Sequence, residues 1–368
     1  METQQIVAAL NADPMNWEAL DAGSSQAIAT GKWNAALTLT SRMVRVRPSM
    51  DLYRRLAHTV SRLSYPLSTL IYLQAALQQN DGDEKMTADT NAEWDLLTAN
   101  LLKSSTRVAR LYDAIKPSLG LTSEILTQYQ SIADRNDRVE LVKNLLTKQG
   151  IPIGLSYYYT TDLLDSGDAA AALDVTMAAL LRGDVSIHNL INITAALIAY
   201  KDIPEMVAIA QATVNLHPAH AGAWGNLGGT FDVRRRPWEC ITASKEALTL
   251  DPNMPSAWNN LANAYKNVGD NSAAAKAYKS ALDLLDWKDK KILSNYLLML
   301  QYTSDLTTEE KALEHWKYGD LFPEAPKLPR RGIVPGVDQL RIGFLSADFN
   351  AHSCAYFLLP LWEYLSSN

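Results

Sequence analysis

The sequence predicts an all-α protein, a solenoid of stacked helix-turn-helix hairpins, followed by a short β-α piece of another kind of domain. Three observations predict it. Ala223-Trp-Gly-Asn-Leu-Gly228 returns as Ala257-Trp-Asn-Asn-Leu-Ala262, an interval of 34 residues. Turn-forming residues keep that interval far upstream of the pair. From Leu340 onward the composition changes to β-forming residues. A fixed period of this size marks hairpins that are too small to bury their own apolar face and must stack on neighbours.

The elements follow in order. Within the echo, Trp224 answers to Trp258, Asn226 to Asn260, Leu227 to Leu261, Phe231 to Tyr265 and Pro218 to Pro252. Successive subtractions of 34 from Pro252 reach Pro218, Asp184, Gly150, Lys116, Gly82, Pro48 and Pro14. Most of these residue types break or precede a helix. Gly31, Gly167-Asp168 and Gly269-Asp270 share a second register, that of the turn inside a hairpin. Ala243 with Ala277, and Ala247 with Ala281, mark the close approach of paired helices. The pattern predicts about eight hairpins over residues 1–286, clearest over 184–286, with irregular ones in the middle. Gln79 to Thr87 is polar and reads as an exposed loop. Residues 287–322 hold two terminal helices, Lys290 to Gln301 and Thr307 to Leu321, the second started by Thr307 with Glu309-Glu310. Pro323, Pro326, Pro329 and Pro335 make 323–339 a linker. In 340–368, Leu340 to Phe349 reads as a strand and Ala355 to Leu365 as a helix, the opening of a doubly wound α/β domain. One strand and one helix cannot complete such a sheet, so the chain is expected to stop inside that domain.

The 368 residues are 47% hydrophobic and 20% charged, with a net charge of −6. This balance points away from nucleic acid, whose binders concentrate basic charge. Cys240 and Cys354 belong to no CxxC pair, so neither a disulfide framework nor a zinc site is expected. Met1 to Pro14 lacks the basic and apolar regions of a signal peptide. The apolar stretch Leu190 to Tyr200 is too short to span a bilayer. A cytoplasmic protein without membrane contact is the expectation.

Several side chains invite a functional reading. Trp224, Trp258, Phe231 and Tyr265 read as packing residues. Tyr157-Tyr158-Tyr159 would point around a helix at about 100° intervals, giving mixed core and surface positions. Arg234-Arg235-Arg236 falls at the turn equivalent to Val268-Gly269-Asp270, either as a solvated basic turn or as an anion contact. Asn192, Asn226 and Asn260 are spaced by 34 and 34. Equivalent positions of a solenoid form a row along one face. Such amides can hold the backbone of an extended peptide, bridge adjacent repeats, or face water. His352 lies in the loop Asp348 to Tyr356 after the predicted strand. A His there can act as a general base or bind an anionic or hydroxyl-bearing ligand.

Trp224-Leu227-Gly228-Phe231 and Trp258-Leu261-Ala262-Tyr265, with a later Ala-Leu and a Pro at the repeat end, resemble the tetratricopeptide repeat. The implied fold is a tetratricopeptide-like α-α superhelix. Residues 340–352, Leu-Arg-Ile-Gly-Phe-Leu-Ser-Ala-Asp-Phe-Asn-Ala-His, resemble the first catalytic strand and loop of O-linked N-acetylglucosamine transferases and SPINDLY-type transferases. Residues 294–310 resemble the segment joining repeats to catalytic domain in bacterial members. The resemblance implies transfer of a sugar from a nucleotide-sugar donor to Ser or Thr of polypeptide acceptors, without a metal. It implies an active-site role for His352 and acceptor binding by Asn192, Asn226 and Asn260. The donor site has no counterpart in this chain, so no cofactor is expected here and the chain alone should be inactive. The alternatives are a non-catalytic scaffold that binds partner proteins in the groove, and an adaptor whose C-terminal strand pairs with a partner.

Overall fold

The computed structural model describes residues 1–79, 82–116, 123–200, 205–321 and 358–359. The chain divides into two compact units, 1–321 and 322–368. In the second unit only Leu358 and Leu359 are described, and both are helical. The expected linker, the strand from Leu340, His352 and the rest of the C-terminal helix lie outside the described residues.

Among its described residues, the regular structure of the first unit is helix apart from one minimal strand pair. After α1 (Thr3–Ala12) the helices come as hairpins, an A helix followed by a B helix. The A helices are α2 (Trp17–Ala29), α4 (Met50–Arg62), α6 (Glu84–Ser104), α8 (Ser123–Ser131), α10 (Ile153–Asp165), α12 (Ile187–Tyr200), α14 (Ala221–Val233) and α16 (Pro255–Asn267). Their B partners are α3 (Trp33–Val46), α5 (Pro66–Gln78), α7 (Thr106–Ala114), α9 (Arg135–Lys148), α11 (Ala169–Leu181), α13 (Met206–Leu216), α15 (Pro237–Leu250) and α17 (Asn271–Leu284). The later A helices begin at 153, 187, 221 and 255, intervals of 34 residues, and α2, α4 and α6 fall within a residue of the same register. Two closing helices follow, α18 (Lys290–Tyr302) and α19 (Thr308–Leu321).

Local chemistry explains the punctuation. Asp168 caps α11 by accepting from the Ala171 amide, and Asp270 caps α17 by accepting from that of Ala273. These side chains satisfy donors that the helix start leaves unpaired. Before each cap the chain must reverse, and it does so through a left-handed residue: Gly31, Ser64, Gly167, Arg235 or Gly269. The Trp–Pro pairs of the echo are linked directly. Trp224 Nε1 donates to the Pro218 carbonyl at 2.8 Å, and Trp258 Nε1 to that of Pro252 at 2.9 Å. The ring packs while its N–H closes the turn that enters the next hairpin. Thr307 and Glu310 form a reciprocal capping box around the start of α19.

The A helices α10, α12, α14 and α16 pack on one another in a row, and the B helix α15 packs on α14 and α16. The middle hairpins depart from this plan. A two-residue parallel pair, β1 (Ile115–Lys116) with β2 (Ile151–Pro152), ties the end of α7 to the start of α10. Gly150 precedes β2 at φ +83, where a Cβ would lie 2.4 Å from the Ala114 carbonyl oxygen, so only glycine fits.

One packing relation is not of the nearest-neighbour kind. α3 and α5 pack against α13, and α5 and α7 against α11. The first hairpins therefore fold back onto the fifth and sixth. Leu20, Met43, Leu56, Ile71 and Tyr72 share one apolar core with Leu180, Leu190, Ile193, Met206 and Ile209. Asn215 on α13 donates to both Ser41 Oγ and Tyr72 Oη at 2.8 Å inside this core. Glu205 accepts the Ser68 backbone N–H at 2.7 Å and so caps α5, whose own N-cap residue Tyr65 offers no side-chain bond.

Candidate functional site

The row of A helices α10, α12, α14 and α16 carries the asparagine series and a further set of polar side chains. The asparagine series is placed on it as follows. Asn192 Nδ2 donates to the Tyr157 carbonyl at 3.2 Å, Asn226 Nδ2 to that of Ile191 at 3.1 Å, and Asn260 Nδ2 to that of Gly225 at 3.2 Å. Each bond crosses from one A helix to the preceding one, spanning 35 residues. Of the three readings the sequence left open, the bridge between repeats is therefore present in all three. Among the described residues no donor reaches the three Oδ1 atoms. Asn192 is buried, 6% exposed, whereas Asn226 and Asn260 are half-buried.

Along the row the character of the surface changes. At α10, Tyr157 and Tyr158 are half-buried while Tyr159 is in the core. Tyr157 meets Tyr158 edge-on at 5.0 Å and His188 of α12 at 4.8 Å. At α14, Gly225, Gly228 and Gly229 let neighbours approach closely, and a Cβ at Gly228 would lie 2.8 Å from Ser244 Oγ. At α16, Asn259, Asn263 and Asn267 repeat every fourth residue and share one stripe. With Lys266, Arg235, Lys291 and Asn295 they line a cavity of about 900 Å³. Asp232 stands on its rim, its carboxyl raised above the usual range by burial and hydrogen-bonded by Asn263 Nδ2.

Behind α10 lies a partly buried ion pair that the repeat pattern does not announce. Arg138 of α9 grips Asp162 with two bonds, Nε to Oδ2 at 2.8 Å and Nη2 to Oδ1 at 2.6 Å. The Tyr129 hydroxyl donates to the same carboxylate. Burial alone would push the Asp162 carboxyl up, but the Arg138 and Tyr129 bonds outweigh it and hold it below the usual range. A signal existed: the equivalent positions in the next three repeats are Ala196, Thr230 and Ala264. A carboxylate where the repeat wants a small residue needs a partner.

The Arg234-Arg235-Arg236 turn is split. Arg235 lines the cavity beside α16, and Arg234 and Arg236 line another beside α3 and α13. Cys240 is buried with a free thiol, raised to about 11 by burial. Among the described residues no cluster of His, Cys, Asp or Glu is arranged to hold a metal ion, and no helix is long and apolar enough to cross a membrane.

No known protein family matches the sequence, and no curated protein matches it. Among solved structures, the chain is similar to a thermophilic TPR protein in Thermus thermophilus, with 17% identity over 48% of this chain and 96% of that one, TM-score 0.41. It is similar to MamA from Desulfovibrio magneticus, with 21% identity over 45% of this chain and 94% of that one, TM-score 0.38. It is similar to the APC/C hetero-tetramer Cut9-Hcn1, with 12% identity over 87% of this chain and 56% of that one, TM-score 0.47. The 34-residue register of its helix starts and the layering of its A and B helices make the described part of this chain a tetratricopeptide-like array of helical hairpins.

Proposed function

We propose that this chain is a protein-binding scaffold whose A face holds an extended segment of a partner polypeptide. The observation that carries the reading is the set of polar groups left over on the A face, the side chains of Asn259 and Asn267 beside the half-buried Asn226 and Asn260, whose Oδ1 atoms meet no donor among the described residues. Solenoids use the surfaces formed by stacked equivalent helices as extended binding surfaces. The Nδ2 atoms of Asn226 and Asn260 are engaged between helices, so these two residues offer acceptors, suited to the N–H groups of a peptide. The donors come from Asn259, Asn267, Lys266 and Asn295. A photocrosslinking side chain placed at Asn259 should capture polypeptide in the cell, and one at Lys279, exposed on the B layer, should not. Equal capture at both positions, or none at Asn259, would defeat the reading.

A second reading rests on the resemblance of residues 340–352 to the first strand and loop of protein O-glycosyltransferases. In it the array binds an acceptor polypeptide, His352 has the active-site role that the resemblance implies, and the donor is a nucleotide sugar. The product of the whole gene should then transfer labelled sugar to a Ser/Thr peptide, and His352→Ala should slow transfer by about a hundredfold or more. No transfer from any common nucleotide sugar leaves only the scaffold.

A further inference from the structure

The basic turn after α14 has a structural counterpart that its sequence neighbourhood does not reveal. Arg234 and Arg236 line a cavity of about 560 Å³ whose opposite wall is α3, which contributes Arg45, Asn34 and Ser41; α13 adds Gln211. The cavity exists only because α3 folds back beside α13. Arg45, Arg234 and Arg236 line it together, and no Asp or Glu is in its lining; Glu239, the partner of Arg236, stands outside it.

Arg45 is the most telling of the three. Its Nε donates to the Ser41 carbonyl at 3.1 Å, and its guanidinium stands 5.5 Å from the centre of the Trp224 ring. No carboxylate lies within ion-pair distance of it among the described residues. Burial pulls its pKa down from the ordinary arginine value; Tyr72 opposes this, Arg42 adds to it, and Glu246 gives a weaker attraction. Arg45 is half-buried, and a half-buried guanidinium with no carboxylate beside it keeps N–H donors for an anion. Arg236 is held in place by stacking 4.9 Å from the Phe231 ring and by pairing with Glu239 at 2.8 Å, which engages Nε and Nη2. Asn34, Thr38, Ser41, Tyr65 and Gln211 complete the polar lining.

We infer that this cavity binds a small phosphate-bearing molecule, gripped between Arg45 of α3 and the Arg234–Arg236 turn. Arginine forks match phosphate oxygens and favour them over single-point anions. The volume lies within the range of small-molecule pockets and well below what a folded partner would need. Bound there, the ligand bridges the first hairpins to the seventh, so it stabilises the fold-back contact as well as itself. The site is separate from the A-face stripe and stands whether or not that stripe binds a polypeptide.

The test is thermal unfolding of the full chain with inorganic phosphate, with glycerol 3-phosphate, and with sodium chloride at matched ionic strength. A ligand that binds only the folded state raises the midpoint in proportion to the logarithm of its concentration. Either phosphate probe should raise it and chloride should not; a larger response to the ester assigns an organic phosphate, and equal responses assign the free ion. Arg45→Gln and Arg236→Gln should each bind about tenfold or more weakly. Arg235→Gln, one residue away but facing the other cavity, should bind as the parent does. Arg236 is half-exposed, so Arg236→Gln remains decisive even if Arg45→Gln folds poorly. No shift with either phosphate, an equal shift with chloride, or undiminished binding by Arg236→Gln would overturn the inference.

Discussion

At the scale of single residues, the repeat pattern predicts apolar and turn positions well, and its exceptions carry the chemistry. Asp162 is the clearest case. It occupies a slot for a small residue, and its cost there is offset only by the fork of Arg138 and the hydroxyl of Tyr129. Replacing Asp162 by Ala leaves a partly buried guanidinium without its partner, and should lower stability by about 2–4 kcal/mol in urea titrations near neutral pH. The pH dependence has a definite sign. A carboxyl whose folded pKa is depressed stabilises the fold above the ordinary carboxylate range, and this is lost as pH falls through the lowered value. The gap between parent and Asp162→Ala should therefore close on acidification below about pH 4. A gap that persists unchanged at low pH would mean the ion pair contributes little.

At the scale of an element, the unit is the hairpin, and its turn was readable from sequence in most repeats. Gly31, Gly167 and Gly269 occupy the left-handed position at φ +68, +85 and +86. Arg235 occupies it at φ +54. A side chain in that conformation costs about 1 kcal/mol or more, partly matched by the larger chain entropy of glycine in the unfolded state. Arg235→Gly is thus expected to raise stability by up to about 1 kcal/mol, measured as a higher urea midpoint with an unchanged slope. A lower midpoint would indicate that the Arg235 side chain makes a stabilising contact outweighing its backbone strain. The asparagine row belongs to this scale too. Its spacing was evident in the sequence, but the bond from each Nδ2 to a carbonyl on the preceding helix was one option among three. Spacing places residues in register; it does not say which of two adjacent polar surfaces an amide will choose.

At the scale of the whole first unit, α3 and α5 lie on α11 and α13 and seal a core that two distant parts of the chain share. Glu205 sits in that junction, 7% exposed, as an external cap for α5. Burial, only partly opposed by the Ser68 bonds, raises its carboxyl to about 7. Here the sign is opposite to that of Asp162. With a folded pKa above the unfolded one, the group's contribution is full at low pH and is lost as pH rises from about 4.5 to about 7. Glu205→Gln keeps an acceptor for Ser68 without a charge to bury. The variant should gain stability over the parent as pH rises through that window, by on the order of 1–3 kcal/mol above pH 7. Parallel stability curves for the two proteins would show that Glu205 does not titrate between folded and unfolded states.

The sequence by itself determined the helical class, the 34-residue register and the turns that separate the helices. These follow from local rules: the period of apolar residues, the conformations open to glycine and proline, and the donors a helix start must satisfy. It also singled out the asparagine row and the basic turn, leaving open whether they bind a ligand, bridge repeats or face water. Only the tertiary structure decided that the early hairpins fold back, that Asn215 bonds Ser41 and Tyr72, and that Arg45 meets Arg234 and Arg236 around one cavity. Those contacts join residues more than a hundred positions apart. A repeat constrains each hairpin's neighbours but not the path of the stack, which is set by small differences in packing summed over the irregular hairpins between α6 and α9.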